Sequence, residues 1–195
     1  MWQEWLPGLR LVIVMTALTG LLYPALTTGL AQLFFPRQAN GSLVRQNGLI
    51  IGSSLIGQQF TRPEYFHPRP SAAGNGYDPM ASGGSNLGPT SKELVEKVAK
   101  RVAEYRAENG VKGPVPADAA TSSASGLDPD ITPANAEDQV ARVAAARGVP
   151  PEQIRDLVRE MTQGRGLGVF GEPRVNVLRL NMALDARFGS EHAPG

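Results

Sequence analysis

Three groups of residues in this chain have types and spacing that chemistry could use. Gly166-Leu-Gly168-Val-Phe-Gly171 fits G-x-G-x-x-G, the pattern that lets backbone approach a pyrophosphate. Gly83-Gly84-Ser85-Asn86-Leu87-Gly88 leads into helix-forming sequence, and such a loop can turn backbone N–H groups toward an anion. Asp78 and the pair Asp128 and Asp130 around Pro129 offer carboxylates for proton sharing or for a cation. Their neighbours argue against each. A dinucleotide fingerprint follows a strand and opens a long helix, but here a helical pattern precedes and Pro173 follows at once, which reads as a turn with several left-handed positions. The Gly83–Gly88 loop lacks the lysine and the spacing of a P-loop. Ser125-Gly126-Leu127-Asp128-Pro129 reads as a turn ahead of a helix capped by Thr132. Arg62, Arg69, Arg165 and Arg174 stand in Gly/Pro-rich segments, where they either tie loops together through carbonyls or contact a partner.

The rest of the catalytic repertoire is thin. There is no cysteine, which excludes thiol chemistry, disulfides and Cys-ligated zinc without revealing the compartment. His67 and His192 are far apart, the second in a Gly/Ala/Pro tail, so no Ser/His/Asp or Cys/His set and no histidine metal site can be assembled. Nineteen basic side chains nearly cancel eighteen acidic ones, leaving no basic field to track a nucleic-acid backbone. These residues argue against a free-standing enzyme and against a nucleic-acid partner.

The element that must position everything else is Leu11–Phe35, 25 consecutive residues without a charge. As a helix it reaches about 37 Å, beyond the ~30 Å hydrocarbon core of a bilayer. A cleaved signal peptide could use Gly29-Leu30-Ala31, but the apolar run is too long and its leader has only Arg10, so a retained anchor is the expectation. Arg10 on one side and Arg37 and Arg45 on the other leave the orientation open by charge. At 100° per residue Thr16, Gly20, Pro24, Thr27 and Ala31 share one arc, a surface on which another helix could pack closely. Pro24 should kink the span or free a carbonyl within it.

After Pro36 the composition is that of one compact α+β domain. Asn47-Gly48 between Leu43–Gln46 and Leu49–Gly52 predicts a hairpin. Residues 57–90 are dense in Gly and Pro yet carry Phe60, Tyr65, Phe66, Tyr77, Met80 and Leu87, an ordered irregular segment wrapped on a core. Thr90-Ser91-Lys92-Glu93 is a capping box opening a helix with Leu94, Val95, Val98, Val102 and Tyr105 on one face and Gly110 as its stop. Residues 110–125 read as a surface loop. Thr132-Pro133 opens a helix to Gly148, Pro150-Pro151 starts another with Ile154, Leu157, Val158 and Met161 inward, and Val177 to Phe188 forms the last. The expected fold is therefore a single N-terminal transmembrane helix plus one α+β soluble domain, with an N-terminal hairpin and about four helices.

Longer stretches carry a resemblance. Leu55-Ile56-Gly57-Gln58 with Phe60, Tyr65-Phe66, Arg69-Pro70-Ser71, SGGSNLGPT at 82–90, SGLDPDITPANAEDQVARVAAARG at 125–148 and GRGLGVFGEPRVNVLRLNMALD at 164–185 resemble the C subunit of the Kdp potassium-transporting P-type ATPase. Only 106–121 lacks the family pattern. The resemblance implies a non-catalytic subunit of a bacterial complex that imports potassium using ATP. Its companions would be a channel-like potassium-binding subunit, an ATP-hydrolysing subunit and a small single-span subunit, with membrane lipid around the span. It also implies residues 1–10 in the cytoplasm, 11–35 crossing the inner membrane, 36–190 on the periplasmic side and 191–195 as a flexible tail. The family is described as a catalytic chaperone raising the ATP affinity of the hydrolysing subunit, so ATP enters by association only, with no cofactor held firmly. Arg69, Pro70, Ser71, Gly83, Gly84, Ser85, Asn86, Leu87 and Gly88 carry the family words. The alternative is a membrane-anchored module that binds an anion or nucleotide at Gly83–Gly88.

Overall fold

A computed structural model describes residues 2–189, with side chains from Trp5; His192 and the 191–195 tail lie outside the described residues. The chain divides after Ser53 into two compact units.

The first unit begins with a continuous apolar helix. It comprises α1 (Trp2–Thr16), a π-helical turn (Ala17–Leu22) and α2 (Tyr23–Phe34). Trp5–Phe34 is 30 residues long, an 18-residue window within it has mean hydropathy 1.8, and none of that window is buried, which makes it long and apolar enough to cross a membrane. Pro24 explains the π-turn. Its ring would strike the carbonyl four residues back, and widening the turn ahead of it removes the clash without a sharp kink. Tyr23 N–H accordingly bonds to the Leu18 carbonyl, five residues back. The Thr27 hydroxyl donates to the Tyr23 and Pro24 carbonyls at 2.9 and 3.1 Å, so this polar side chain finds its partners inside the helix. The 100° spacing of the small-residue stripe therefore holds within α1 and within α2, not across Ala17–Leu22.

Phe35, at φ −136°, ends the span, and a single turn α3 (Pro36–Ala39) follows. Strands β1 (Leu43–Gln46) and β2 (Leu49–Ser53) then pair antiparallel around Asn47-Gly48, as the turn residues predict. Both turn positions are left-handed, at φ 51° and 83°. The register runs Gln46↔Leu49 and Arg45↔Ile50, then slips to Val44↔Gly52, a bulge.

The second unit is α+β. Helix α4 (Lys92–Asn109) is followed by α5 (Ala117–Ala120), β3 (Asp130–Ile131), α6 (Pro133–Arg147), α7 (Pro151–Met161), β4 (Thr162–Gln163), β5 (Arg174–Asn176) and α8 (Val177–Phe188). The small sheet has order β3-β5-β4, all antiparallel, with Ile131 and Thr162 flanking Val175. The core gathers where α6, α7 and α8 pack on β5: Phe66, Ile131, Val143, Ile154, Val175, Leu180 and Leu184 are each at most 2 % exposed. Caps set the boundaries. Thr132 Oγ1 accepts from Asn135 N–H, Asn176 Oδ1 accepts from Arg179 N–H, and Gly148 closes α6 at φ 65°.

Three expectations shift. The cap of α4 is Ser91 in place of Thr90, because the chain enters the helix one residue later; Leu94 N–H donates to Ser91 Oγ at 3.4 Å. Val95 is 61 % exposed, because the inward side of α4 is formed by Leu94, Val98, Arg101, Val102, Tyr105 and Asn109. Residues 110–125 are not wholly a surface loop, because α5 buries Asp118, Ala119 and Ala120.

Candidate functional site

The family words, distant in sequence, converge on one loop junction. Ser71 lies at its centre. Its hydroxyl donates to the Gly126 carbonyl at 2.7 Å and accepts from the N–H groups of Ala73 and Tyr77 at 3.1 and 2.8 Å. Tyr77, a non-glycine residue at φ 56°, is held by that bond and by its hydroxyl, which donates to the Arg69 carbonyl. Burial pushes the Tyr77 phenol up to about 12, with Arg101 opposing, so it stays a neutral donor. Arg69 Nη1 donates to Asp128 Oδ2 at 2.7 Å, while Arg69 Nε is buried without a partner.

The Gly83–Gly88 loop lies along residues 123–126. Gly83 N–H donates to the Ser125 carbonyl at 2.9 Å and the Ser82 hydroxyl to the same oxygen at 3.0 Å. Gly126, at φ 68°, is the tightest point: a Cβ there would come 2.6 Å from Ala73 N and 2.6 Å from the Gly83 carbonyl oxygen. Gly57 is nearly as close, 2.7 Å from the Asp128 carbonyl oxygen. Beside the junction opens a cleft of about 540 Å³ lined by Ser71, Gly84, Ser85, Leu87, Lys97 and Arg101 among others. Its cations already have partners: Lys97 Nζ pairs with Glu93 Oε1 at 2.6 Å and Arg101 Nη1 donates to the Ala120 carbonyl at 3.3 Å.

The other sequence candidates resolve into structural roles. Asp128 Oδ1 accepts from Asp130 N–H at 3.0 Å, an Asx turn leading into β3. Asp130 accepts from Asn176 Nδ2 and pairs with Arg174 Nε at 3.1 Å; burial raises its pKa despite both partners. Asp78 Oδ1 accepts from Met80 N–H. Of the two readings of the loop arginines, ties through carbonyls or contact with a partner, the first is modified: each meets a carboxylate of this chain, Arg62 with Glu64, Arg69 with Asp128, Arg165 with Glu172 and Arg174 with Asp130. The G-x-G-x-x-G segment is a tight hairpin entered from the two-residue strand β4, and no long helix follows it directly. Among the described residues no cluster of three His, Asp or Glu side chains has metal-holding geometry.

A polar network that sequence reasoning passed over organises the region around Phe66. Asn181 Oδ1 accepts from Phe66 N–H at 2.8 Å and its Nδ2 donates to the Phe66 carbonyl at 3.0 Å. Gln139 does the same for His67, at 2.7 and 3.1 Å. Two amide side chains thus take the place of strand neighbours. Arg142 adds bonds to the carbonyls of Pro63 and Tyr65, and His67 Nδ1 faces Glu108 at 2.8 Å. The available signal was Asn135, Gln139 and Arg142 at i, i+4 and i+7 beside the apolar face of α6.

The described residues give a helix long and apolar enough to cross a membrane and, in the second unit, loops cross-braced by polar side chains. Comparison with known proteins gives the family. A family model described as "K+-transporting ATPase, c chain" (KdpC) matches residues 5–186. The chain is 57% identical over 187 residues to the potassium-transporting ATPase KdpC subunit of Gemmatimonas aurantiaca, covering 95% of this chain and 94% of that one. It is also 57% identical over 199 residues to the same subunit of Myxococcus xanthus, covering 100% and 94%, and 54% identical over 185 residues to that of Mycobacterium tuberculosis, covering 94% and 98%. By its membrane-length helix, its α+β domain and this near-complete match, the chain belongs to the KdpC family, the c chain and an accessory subunit of the potassium-transporting ATPase complex.

Proposed function

We propose that this chain is a non-catalytic assembly and coupling subunit of the pump. In this reading Trp5–Phe34 crosses the bacterial inner membrane with the N-terminus cytoplasmic and residues 36–190 periplasmic. Thr16, Gly20, Pro24, Thr27 and Ala31 receive a companion helix. The companions are the channel-like potassium-binding subunit, the ATP-hydrolysing subunit and the small single-span subunit.

The observation that carries this reading is where the small residues lie on an unburied, membrane-length helix: Thr16 and Gly20 in its first half and Thr27 and Ala31 on one side of α2 leave room for a neighbouring backbone to approach closely. Raised ATP affinity of the hydrolysing subunit follows as a coupling free energy, typically about 1–3 kcal/mol, because a periplasmic domain does not reach cytoplasmic ATP and must act through the span.

Detergent pull-down of the tagged full chain tests it. Gly29 gives a matched control, since its added Cβ would meet nothing within 4 Å and it lies opposite Thr27 and Ala31 on α2. Gly20→Leu should reduce recovery of the large subunits while Gly29→Leu does not; equal recovery from both would remove the interface.

The cleft beside the Gly83–Gly88 loop favours a second reading, a membrane-anchored module that binds an anion or nucleotide at that loop. Calorimetry of the full chain in detergent with ATP and with phosphate separates the two. Millimolar or tighter binding supports the site and silence rejects it.

A further inference from the structure

The π-turn inside the apolar helix leaves a main-chain oxygen without a donor. Tyr23 N–H, which in an α-helix would bond to the Thr19 carbonyl, reaches one residue further back to Leu18. The widened turn would next pair the Thr19 carbonyl with residue 24, which is proline and has no N–H. Both routes to Thr19 are closed. Beyond it, the Leu22 carbonyl takes the first bond of α2, so Gly20 and Leu21 have only the Ala25 N–H between them. The nearby hydroxyls are engaged elsewhere: Thr19 Oγ1 donates to the Met15 carbonyl at 2.7 Å, and Thr27 Oγ1 to those of Tyr23 and Pro24.

Depth decides what that oxygen needs. Thr19 is the fifteenth of the 30 residues of Trp5–Phe34, so it stands at the middle of the span. Headgroups lie roughly 15 Å away on either side, and the hydrocarbon tails between carry no donor. A carbonyl without a partner is costly there, and spanning helices normally leave none exposed to lipid. Gly20, the next residue, has no side chain to cover it, and the whole turn is unburied.

Only a donor brought in by another spanning segment answers that need. It must be uncharged, because a full charge at mid-membrane costs more than one hydrogen bond returns. A second copy of this chain at the same depth would offer Thr19, whose hydroxyl is held by Met15. We propose that the π-turn docks a transmembrane helix of a companion subunit, whose hydroxyl or side-chain amide donates to the Thr19 carbonyl. This rests on the accessory-subunit reading above. Pro24 then has two effects: it widens the turn, and it keeps an acceptor open to a neighbour.

Carbonyl NMR on the full chain tests the bond. With carbonyl-labelled threonine and nitrogen-labelled glycine, only Thr19-Gly20 and Thr28-Gly29 give linked signals, and Thr28, inside α2, is the internal reference. The Thr19 carbonyl should move downfield when the chain joins its companions, while Thr28 stays. A Thr19 signal unmoved in the assembled complex overturns the proposal. So does one already as far downfield as Thr28 in the chain alone, or one that moves on self-association without companions. Pro24→Ala restores the missing N–H and gives the carbonyl an internal partner. That variant should be at least as helical in detergent, yet lose companions about threefold more readily; equal retention overturns the proposal. Wild type separates the two levels. If it recovers no companions the subunit reading fails, whereas companions recovered with an unmoved Thr19 signal sink the docking bond alone.

Discussion

Arg147 and Asp185 close the second unit by joining the last turn of α6 to α8. Nη2 lies 2.8 Å from Oδ1, with the two side chains 6 % and 20 % exposed. The guanidinium also donates to the carbonyls of Glu64 and Gly189 at 2.8 and 2.9 Å and lies over the Tyr65 ring, whose hydroxyl donates to the other oxygen of Asp185. One cation thus braces three stretches of chain. Replacing it strands a partly buried carboxylate and two carbonyls. Arg147→Ala should cost about 3 kcal/mol in chemical unfolding, and Arg147→Lys should recover only part, because one ammonium cannot span this fork.

Glycines of the loop junction separate by geometry. Gly126→Ala forces a Cβ to 2.6 Å from two backbone atoms at a left-handed φ, so neither atom can swing away. A loss above about 3 kcal/mol is expected. Gly83→Ala, with nothing within 4 Å and no left-handed φ, should change stability by about 1 kcal/mol or less. Thermal melts of both in detergent decide whether close approach, or glycine content as such, holds the motif.

The contrast between caps and bracing explains what could be read in advance. Helix α6 is legible to the residue because Thr132-Pro133 and Gly148 act on their immediate neighbours, and Asn47-Gly48 marks the first hairpin's turn in the same way, whereas the extension of β2 to Ser53 and the bulge at Val44 are set by pairing across the strands. Thr90 and Ser91 are both competent caps, and only the path of the incoming chain chose Ser91. Asp118 looked like a loop residue among Pro, Ala and Gly, since its partners Thr132 and Asn135 lie 14 and 17 positions away. Residues 57–90 read correctly as ordered, but not how: the amides that grip Phe66 and His67 come from 115 and 72 positions downstream, and local periodicity carries no trace of such pairs. Junction positions Ser71 and Gly84 do come to line one cleft, which their separate motifs did not state.

His67 gives the domain an acid-sensitive component. Burial, with the nearby Arg142 guanidinium second, holds the imidazole below its ordinary pKa; Glu108 at 2.8 Å and the Arg62 carbonyl oppose this without reversing it. The unfolded chain therefore binds the extra proton first. The contribution to stability is complete above about pH 6.5 and is lost as pH falls from there toward the folded value. Wild type should lose melting temperature between about pH 7 and pH 5 more steeply than His67→Gln. Parallel slopes would show that the ring does not titrate differently on folding.

Asp118 and Thr132 provide the last test, because they act on one helix start from opposite ends. Asp118 Oδ2 accepts from Thr132 N–H at 2.8 Å and from Asn135 Nδ2 at 3.0 Å, while Oδ1 accepts the Thr132 hydroxyl at 3.0 Å. That same hydroxyl oxygen accepts from Asn135 N–H at 3.2 Å, so the carboxylate orients the cap that starts α6. Asp118→Ala leaves a buried backbone donor and a side-chain amide unsatisfied and should cost about 2–4 kcal/mol. Thr132→Ala alone should cost about 1–2 kcal/mol. The two losses should not add: once Asp118 is gone the hydroxyl is no longer aimed, and a double-mutant cycle should return a coupling of about 1 kcal/mol or more. Strict additivity would mean that Thr132 caps α6 unaided and that α5 only fills space beside it.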